Sequence, residues 1–377
     1  MTTVTVSGAN GPVIVGRPDD GERGALSLAL AASFARARQQ RADAWILRPR
    51  QAIDEALFAL APVSGPRRIE PAGVERTRLQ SQWAVQQARE GLAAVSRAAG
   101  QSFWLETYRE LRRHIADERL PYRLRSWLRD VSQRAIGRVK QEGGEPAARF
   151  PRRLLREAIP VALPEPLRLA AAVAARDKGI DAGKPLVAVE RDGDGERFRE
   201  AEAVLVASGY QVVSLGDTDC ALDLFLLLHA AFVVCTSPAL QRVAYLTATP
   251  SLTLNVIDPI GSYPVRGNGL ITLATPIDLE TGRALPPPEM LSEGYQRHLH
   301  RYGVRRNTSA QVAQAVREML ALLAGSKEKP AQATYRTAVL DAGAALAVKV
   351  SRVRAWGPDE GFIGDGRLVA WQAEQIA

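Results

Sequence analysis

Cysteine, histidine and methionine are scarce in this chain, and long apolar runs are missing. Two cysteines among 377 residues, Cys220 and Cys235, provide neither a disulfide framework nor a CxxC metal or redox pair. Cys235 ends an apolar run and reads as a small buried hydrophobe. The four histidines do not gather. His298 and His300 read as positions i and i+2 of a polar helix and so face apart. His229 falls in an apolar helix, and His114 joins a basic stretch. That spacing predicts no His/Glu metal centre, and no Ser/His/Asp grouping points to a hydrolase. The longest apolar run, Ala221 to Val234, holds Asp223 and His229 and is too short to span a bilayer. The first residues, MTTVTVSGANGPVIVG, lack the basic start and apolar core of a signal peptide, so the expectation is a cytoplasmic protein. A dinucleotide fingerprint is also missing, because Gly8-Ala-Asn-Gly11 precedes a strand instead of following one.

What is present is a mixed, soluble composition, 46% hydrophobic and 24% charged, enough to build two ordinary cores. The charge is uneven. Residues 1–150 hold 24 Lys+Arg against 16 Asp+Glu, while residues 151–377 hold 25 of each, so the whole excess of +8 lies in the first part. Much of it falls in 109–140, a segment that either attracts an anionic surface, such as a membrane or a lipid-linked phosphate, or is a solvated helix face. No nucleic-acid motif accompanies it, and no specific nucleic-acid binding is expected.

Apolar runs alternate with helical stretches across Pro185 to Ala321. Val187 to Glu190, Gln211 to Leu215, Phe232 to Cys235 and Ser251 to Val256 read as buried parallel strands. Their polar ends, Glu190-Arg191, Gly216-Asp217, Thr236-Ser237 and Asn255, would emerge on one sheet edge, where open α/β sheets take ligands. Before them, Val13 to Val15 and Asp43 to Leu47 read as strands and Arg68 to Glu70 as a third. Ala25 to Arg38 and Gln51 to Leu60 read as helices, and Gln80 to Gln141 as almost entirely helical. Gly143-Gly-Glu-Pro146 is the best linker. Tyr335 to Val348 and Leu368 to Gln375 read as helices of the tail.

Several pieces of the second half stand in a recognisable order. They are Pro164-Glu-Pro-Leu167 with Gly179-Ile-Asp181, Phe198-Arg-Glu-Ala201, Gly209-Tyr-Gln-Val-Val-Ser-Leu-Gly-Asp217, and Asp223-Leu-Phe-Leu226 running into Phe232-Val-Val-Cys-Thr-Ser237. Thr281-Gly-Arg-Ala-Leu285, Glu289-Met-Leu291 and Asn307-Thr-Ser-Ala-Gln-Val312 complete the set. Over residues 150–325 the chain resembles a family of bacterial glycosyltransferases of the GT-B, heptosyltransferase-like type. The resemblance implies an α/β fold of two Rossmann-like domains facing a cleft, with a long helical insertion in or after the first. Residues 1–145 would form the N-terminal acceptor-side domain with its basic helical segment. Residues 146–330 would form the C-terminal nucleotide-sugar domain, and 331–377 a helical tail.

The activity implied is metal-independent transfer of a sugar from a nucleotide sugar to a hydroxyl of a polysaccharide, lipid-linked glycan or protein. No cofactor is implied, and the place of work is the cytoplasm or the inner face of the membrane. Arg191 and Arg199, with Thr236 and Ser237, would hold the departing diphosphate. Ser214, Gly216, Asp217 and Asn255 would complete the donor edge, and Glu289 would contact the donor sugar or ribose. Asp19, Asp20 and Glu22, in the loop after the first strand, are the candidate bases. Each also has a plain structural reading: Ser237 with Pro238 as an ordinary helix start, Gly216-Asp217 as a turn, the arginines as a paired surface cluster, and the acidic residues as a solvated loop. Asp192-Gly-Asp194 reads as a turn. The chain departs from the family where Thr236-Ser-Pro-Ala239 replaces Thr-Ser-Ser-Gly and Arg199-Glu200 replaces Arg-Asn. Pro238 removes one backbone donor, and Glu200 puts a carboxylate near any phosphate. Two alternatives therefore stand beside the transferase: a catalytically degenerate scaffold or partner protein, and a sugar-nucleotide epimerase on the same double fold.

Overall fold

The computed structural model describes residues 2–8, 11–17, 23–46, 55–80, 82, 127–131, 155–156, 159–181, 183–191, 195–216, 220–347, 349–350, 353 and 365–376. The chain starts as an antiparallel hairpin, Thr2–Gly8 (β1) with Gly11–Arg17 (β2), in which Val4 pairs with Val15 and Val6 with Val13. The period-two pattern of Val4 and Val6 against Thr3 and Thr5 suits a strand, and β1 adds to the strands expected. Helix α1, Arg23–Gln40, leads to Asp43–Ile46 (β3), which lies parallel to β2. The expected strand at Arg68 to Glu70 is reduced to a single parallel bridge between Ala44 and Arg68. Helix α2, Glu55–Ala59, precedes Ala61–Pro62 (β4), which pairs with Val161–Ala162 (β5).

Glu165–Asp177 (α3) opens the second α/β unit, with Pro166 in its first turn, where a missing N–H costs no hydrogen bond. Then come Leu186–Glu190 (β6), Arg199–Ala207 (α4), Gln211–Leu215 (β7), Cys220–His229 (α5), Ala230–Cys235 (β8), Pro238–Thr247 (α6) and Ser251–Val256 (β9). Gly269–Leu273 (β10), Thr275–Asp278 (β11), Glu293–Arg297 (α7), Tyr302–Arg305 (β12) and Ser309–Leu323 (α8) follow. The chain ends with Pro330–Ala347 (α9), Arg367–Leu368 (β13) and Ala370–Glu374 (α10). Among the described residues the central sheet has six strands in the order β13-β10-β9-β8-β6-β7, and every pair is parallel. The four strands expected from the sequence are all in it. β10 and β13 extend it, and the tail thus returns a strand to the sheet.

Side chains alternate across this sheet as the pleat requires. Val187, Val189, Phe232 and Val234 face one core with Phe198, Leu205, Val312 and Val316, from α4, α8 and the turn before α4. Ala188, Val233 and Cys235 face the other, with Leu224 and Leu227 of α5 and Val243 and Leu246 of α6. The N-terminal unit joins that second core directly: Leu30 and Phe34 of α1 and Leu57 of α2 are fully buried within it. The small and large sheets are therefore coupled through helices, with α1 against α6 and α2 against α5.

Candidate functional site

Strand order and parity place the site. From β6 the chain goes to β7 on one side and then to β8 on the other, so the connections diverge around β6. In open α/β sheets such a switch point opens a crevice at the carboxyl ends of the strands. Glu190 is the last residue of β6 and shares the parity of Leu186 and Ala188, so its side chain lies on the α5–α6 face. There its carboxylate meets the turn between β8 and α6. Oε2 accepts hydrogen bonds from Thr236 N at 2.7 Å, Thr236 Oγ1 at 3.0 Å and Ser237 N at 2.7 Å, and Oε1 accepts from Ser237 Oγ at 2.6 Å. Ser237 Oγ in turn accepts from Leu240 N at 3.2 Å and caps α6, with Pro238 in its first turn. Four donors at a helix N-terminus converge on one anion, which is how such ends bind phosphates. Here the anion belongs to the chain.

A second carboxylate repeats the arrangement one strand away. Gly216, at the end of β7, has φ 105°, a conformation glycine adopts at little cost. Its N–H points to the Asp223 carboxylate, at 3.3 and 3.2 Å from the two oxygens. Asp223 is only 7% exposed, and this hydrogen bond helps offset the cost of placing its charge in an apolar helix. Between the two carboxylates lies a pocket of about 110 Å³ whose lining includes Leu57, Glu190, Gly216, Asp223, Ser237 and Leu240. Ligand sites for small molecules run to roughly 300–1,000 Å³, so a nucleotide sugar requires the pocket to widen. Behind Glu190, Cys235 is fully buried, and burial first, then the Glu190 charge, pushes its thiol well above the ordinary range. It is a core residue without thiolate chemistry.

The other expected site residues disperse. Ser214 lies on β7, opposite Val189 and half-buried, and does not line the pocket. Arg191 pairs with Glu202 at 2.7 Å and Arg199 with Glu196, both at the surface. Glu289 takes a bidentate hydrogen bond from Arg283, at 2.9 and 2.7 Å. Asn255 sits at φ 57°, which asparagine tolerates better than most residues, and is locked to Asn307. Asn255 N donates to Asn307 Oδ1 at 3.0 Å and Asn307 N to Asn255 Oδ1 at 2.7 Å. Asp19, Asp20, Glu22 and Asp217 lie outside the described residues, as does most of 109–140.

One grouping departs from the sequence reading. His298 and His300 do not occupy one helix. Helix α7 ends at Arg297, His298 adopts φ −126° and ψ 38°, and a single 3₁₀ turn spans Leu299–Arg301. The break turns both imidazoles to Asp130, whose Oδ1 lies 2.8 Å from His298 Nδ1 and 3.1 Å from His300 Nε2. The three ligand-type atoms all lie within 4.8 Å of one another. Burial, the largest effect, holds the His300 ring below the usual imidazole pKa, with the Asp130 charge opposing it.

Sequence reasoning missed the role of Glu190 because its partners lie 46 and 47 residues away. Asp223 carried a usable signal: a carboxylate inside an apolar run must find a donor. Compared with protein-family models, curated proteins and solved structures, the chain matches none.

Proposed function

We propose that the chain is a glycosyltransferase-like protein of the two-Rossmann GT-B kind in which the donor edge persists while its own carboxylate holds the diphosphate position. It then acts as a non-catalytic partner in building a polysaccharide, lipid-linked glycan or glycoprotein. The Glu190 contact carries this reading. A donor diphosphate placed at the start of α6 would meet a fixed negative charge and compete for four donors already engaged. Pro238 acts in the same direction by removing an N–H from that helix start. Isothermal titration of the chain with a panel of nucleotides and nucleotide sugars tests it. The expected result is no binding heat, and micromolar binding of any nucleotide sugar would overturn it.

The second reading is metal-independent glycosyl transfer, and one observation favours it. The Arg191 and Arg199 ion pairs are solvent-exposed, with the Arg199 side chain 74% exposed, and such pairs are worth about 0–1 kcal/mol. Both guanidiniums can thus leave their carboxylate partners at little cost, while rotation of Glu190 would free Thr236 and Ser237 to receive a diphosphate. Turnover of a nucleotide sugar by the isolated chain, lowered in Arg199→Ala, distinguishes this from the first reading.

A further inference from the structure

Asp130, His298 and His300 come from two places far apart in the sequence, and none of them lines the strand-end pocket. Asp130 lies in the helical segment 127–131, whose Leu128 is buried. The two histidines flank Leu299 ahead of β12. Their nearest contacts, 2.8 and 3.1 Å, are short enough for hydrogen bonds. His298 Nδ1 and His300 Nε2 are both shielded from solvent, and both approach the same carboxylate oxygen, Asp130 Oδ1. The ring planes stand at 87° with centroids 5.9 Å apart. Two imidazole nitrogens and a carboxylate oxygen gathered this closely are what a shared cation would organise. Two ligands about 2.1 Å from one ion lie about 3.0 Å apart at an octahedral angle and about 3.4 Å apart at a tetrahedral one. The observed separations from Asp130 Oδ1 are close to the first.

We propose that Asp130 Oδ1, His298 Nδ1 and His300 Nε2 bind one first-row divalent transition ion of the zinc type. Two imidazoles and one carboxylate suit zinc or ferrous iron, whereas magnesium and calcium prefer all-oxygen sets. Three protein ligands leave a coordination position open, as in zinc sites that bind water or substrate. Two arginines are close enough to matter. Arg301 is committed to Glu280 at 3.0 Å, which offsets its charge, while the positive charge of Arg129, which lowers the His300 pKa, opposes cation binding. The bound ion would pin segment 127–131 to the turn before β12 and so join that segment to the second α/β unit.

The test is equilibrium dialysis of the chelator-treated full chain against Zn²⁺, with metal quantified by mass spectrometry and Co²⁺ absorption reporting imidazole ligation. Expected are one ion per chain, a rise in melting temperature with Zn²⁺, and at least tenfold weaker binding in each of Asp130→Asn, His298→Ala and His300→Ala. Circular dichroism of the metal-free variants checks their folding, and His300→Gln, which keeps bulk and polarity, replaces any variant that fails that check. Binding of no ion by the wild type, or equal binding by wild type and variants, overturns the proposal and leaves a carboxylate contacting two imidazoles without a metal.

Discussion

Glu190 and Ser237 meet twice: Glu190 Oε1 lies 2.6 Å from Ser237 Oγ, and Oε2 lies 2.7 Å from Ser237 N. One strand end and the next helix start, on either side of the topological switch, are thereby closed on each other. Removing the carboxylate leaves half-buried N–H groups without their acceptor, so Glu190→Ala should destabilise the chain by about 1–3 kcal/mol. Glu190→Gln should lose less, since its amide oxygen still accepts from a backbone N–H. Urea denaturation of the three proteins checks this. Equal midpoints would mean that the contact is incidental.

Ser237 serves both as acceptor for Leu240 N and as donor to Glu190. Ser237→Ala loses the cap and the hydroxyl donor together and should cost about 1–2 kcal/mol. Thr236→Val keeps the backbone N–H to Glu190 and removes only Oγ1, so it should cost less. Melting temperatures ranked in the opposite order would contradict the capping account.

The reciprocal pair Asn255–Asn307 also draws in Thr272, whose Oγ1 donates to Asn307 Oδ1 at 2.6 Å. Asn255→Ala and Asn307→Ala should each destabilise, and the double variant should show a coupling of about 0.5–3 kcal/mol. Combined with Glu190→Ala, neither should change the diphosphate binding expected of that variant if Asn255 is a structural lock and not part of a donor site. Additive effects in a denaturant double-mutant cycle would count against the lock.

The Arg283 hydrogen bond holds the exposed Glu289 carboxyl below its ordinary value. A carboxyl whose folded pKa is depressed contributes stability that is present above its unfolded pKa. That contribution disappears as pH falls through the folded value. The pair should therefore matter at neutral pH and vanish in acid, with Glu289 fully ionised near pH 7. Carbon-detected NMR titration of Glu289 should give a midpoint below that of an unpaired glutamate, and Arg283→Ala should restore the ordinary one.

Phe34 of α1 is fully buried in the core that Val243 and Leu246 of α6 share. Phe34→Ala should cost about 3–5 kcal/mol. Because α1 and α6 belong to different sheets, the loss should lower the stability of the strand-end site as well. Hydrogen exchange at Thr236 and Ser237 is the readout. Unchanged protection there would show that the two units fold independently.

The four central strands were legible because each is a short apolar run separated from the next by a helical stretch. β10 lacked that cue, since no helix connects it to β9, and β13 is two residues whose pairing depends on packing of the tail. The strand-end position of Thr236, Ser237, Gly216 and Asn255 followed from the pattern. What each side chain binds did not, since Glu190, Asp223 and Asn307 arrive from other elements. The face shared by His298 and His300 was hidden for a different reason: helical periodicity assumes an unbroken helix, and α7 stops one residue before His298.

Glu190 holds the donors at the start of α6 that a diphosphate would need under the proposed function. Titrating pyrophosphate and a nucleoside diphosphate into the wild type and into Glu190→Ala by isothermal calorimetry tests this most directly. Expected are no measurable heat with the wild type and binding at least tenfold stronger with the variant, lost again in Glu190→Ala combined with Ser237→Ala. Tight binding by the wild type that Glu190→Ala leaves unchanged would contradict it.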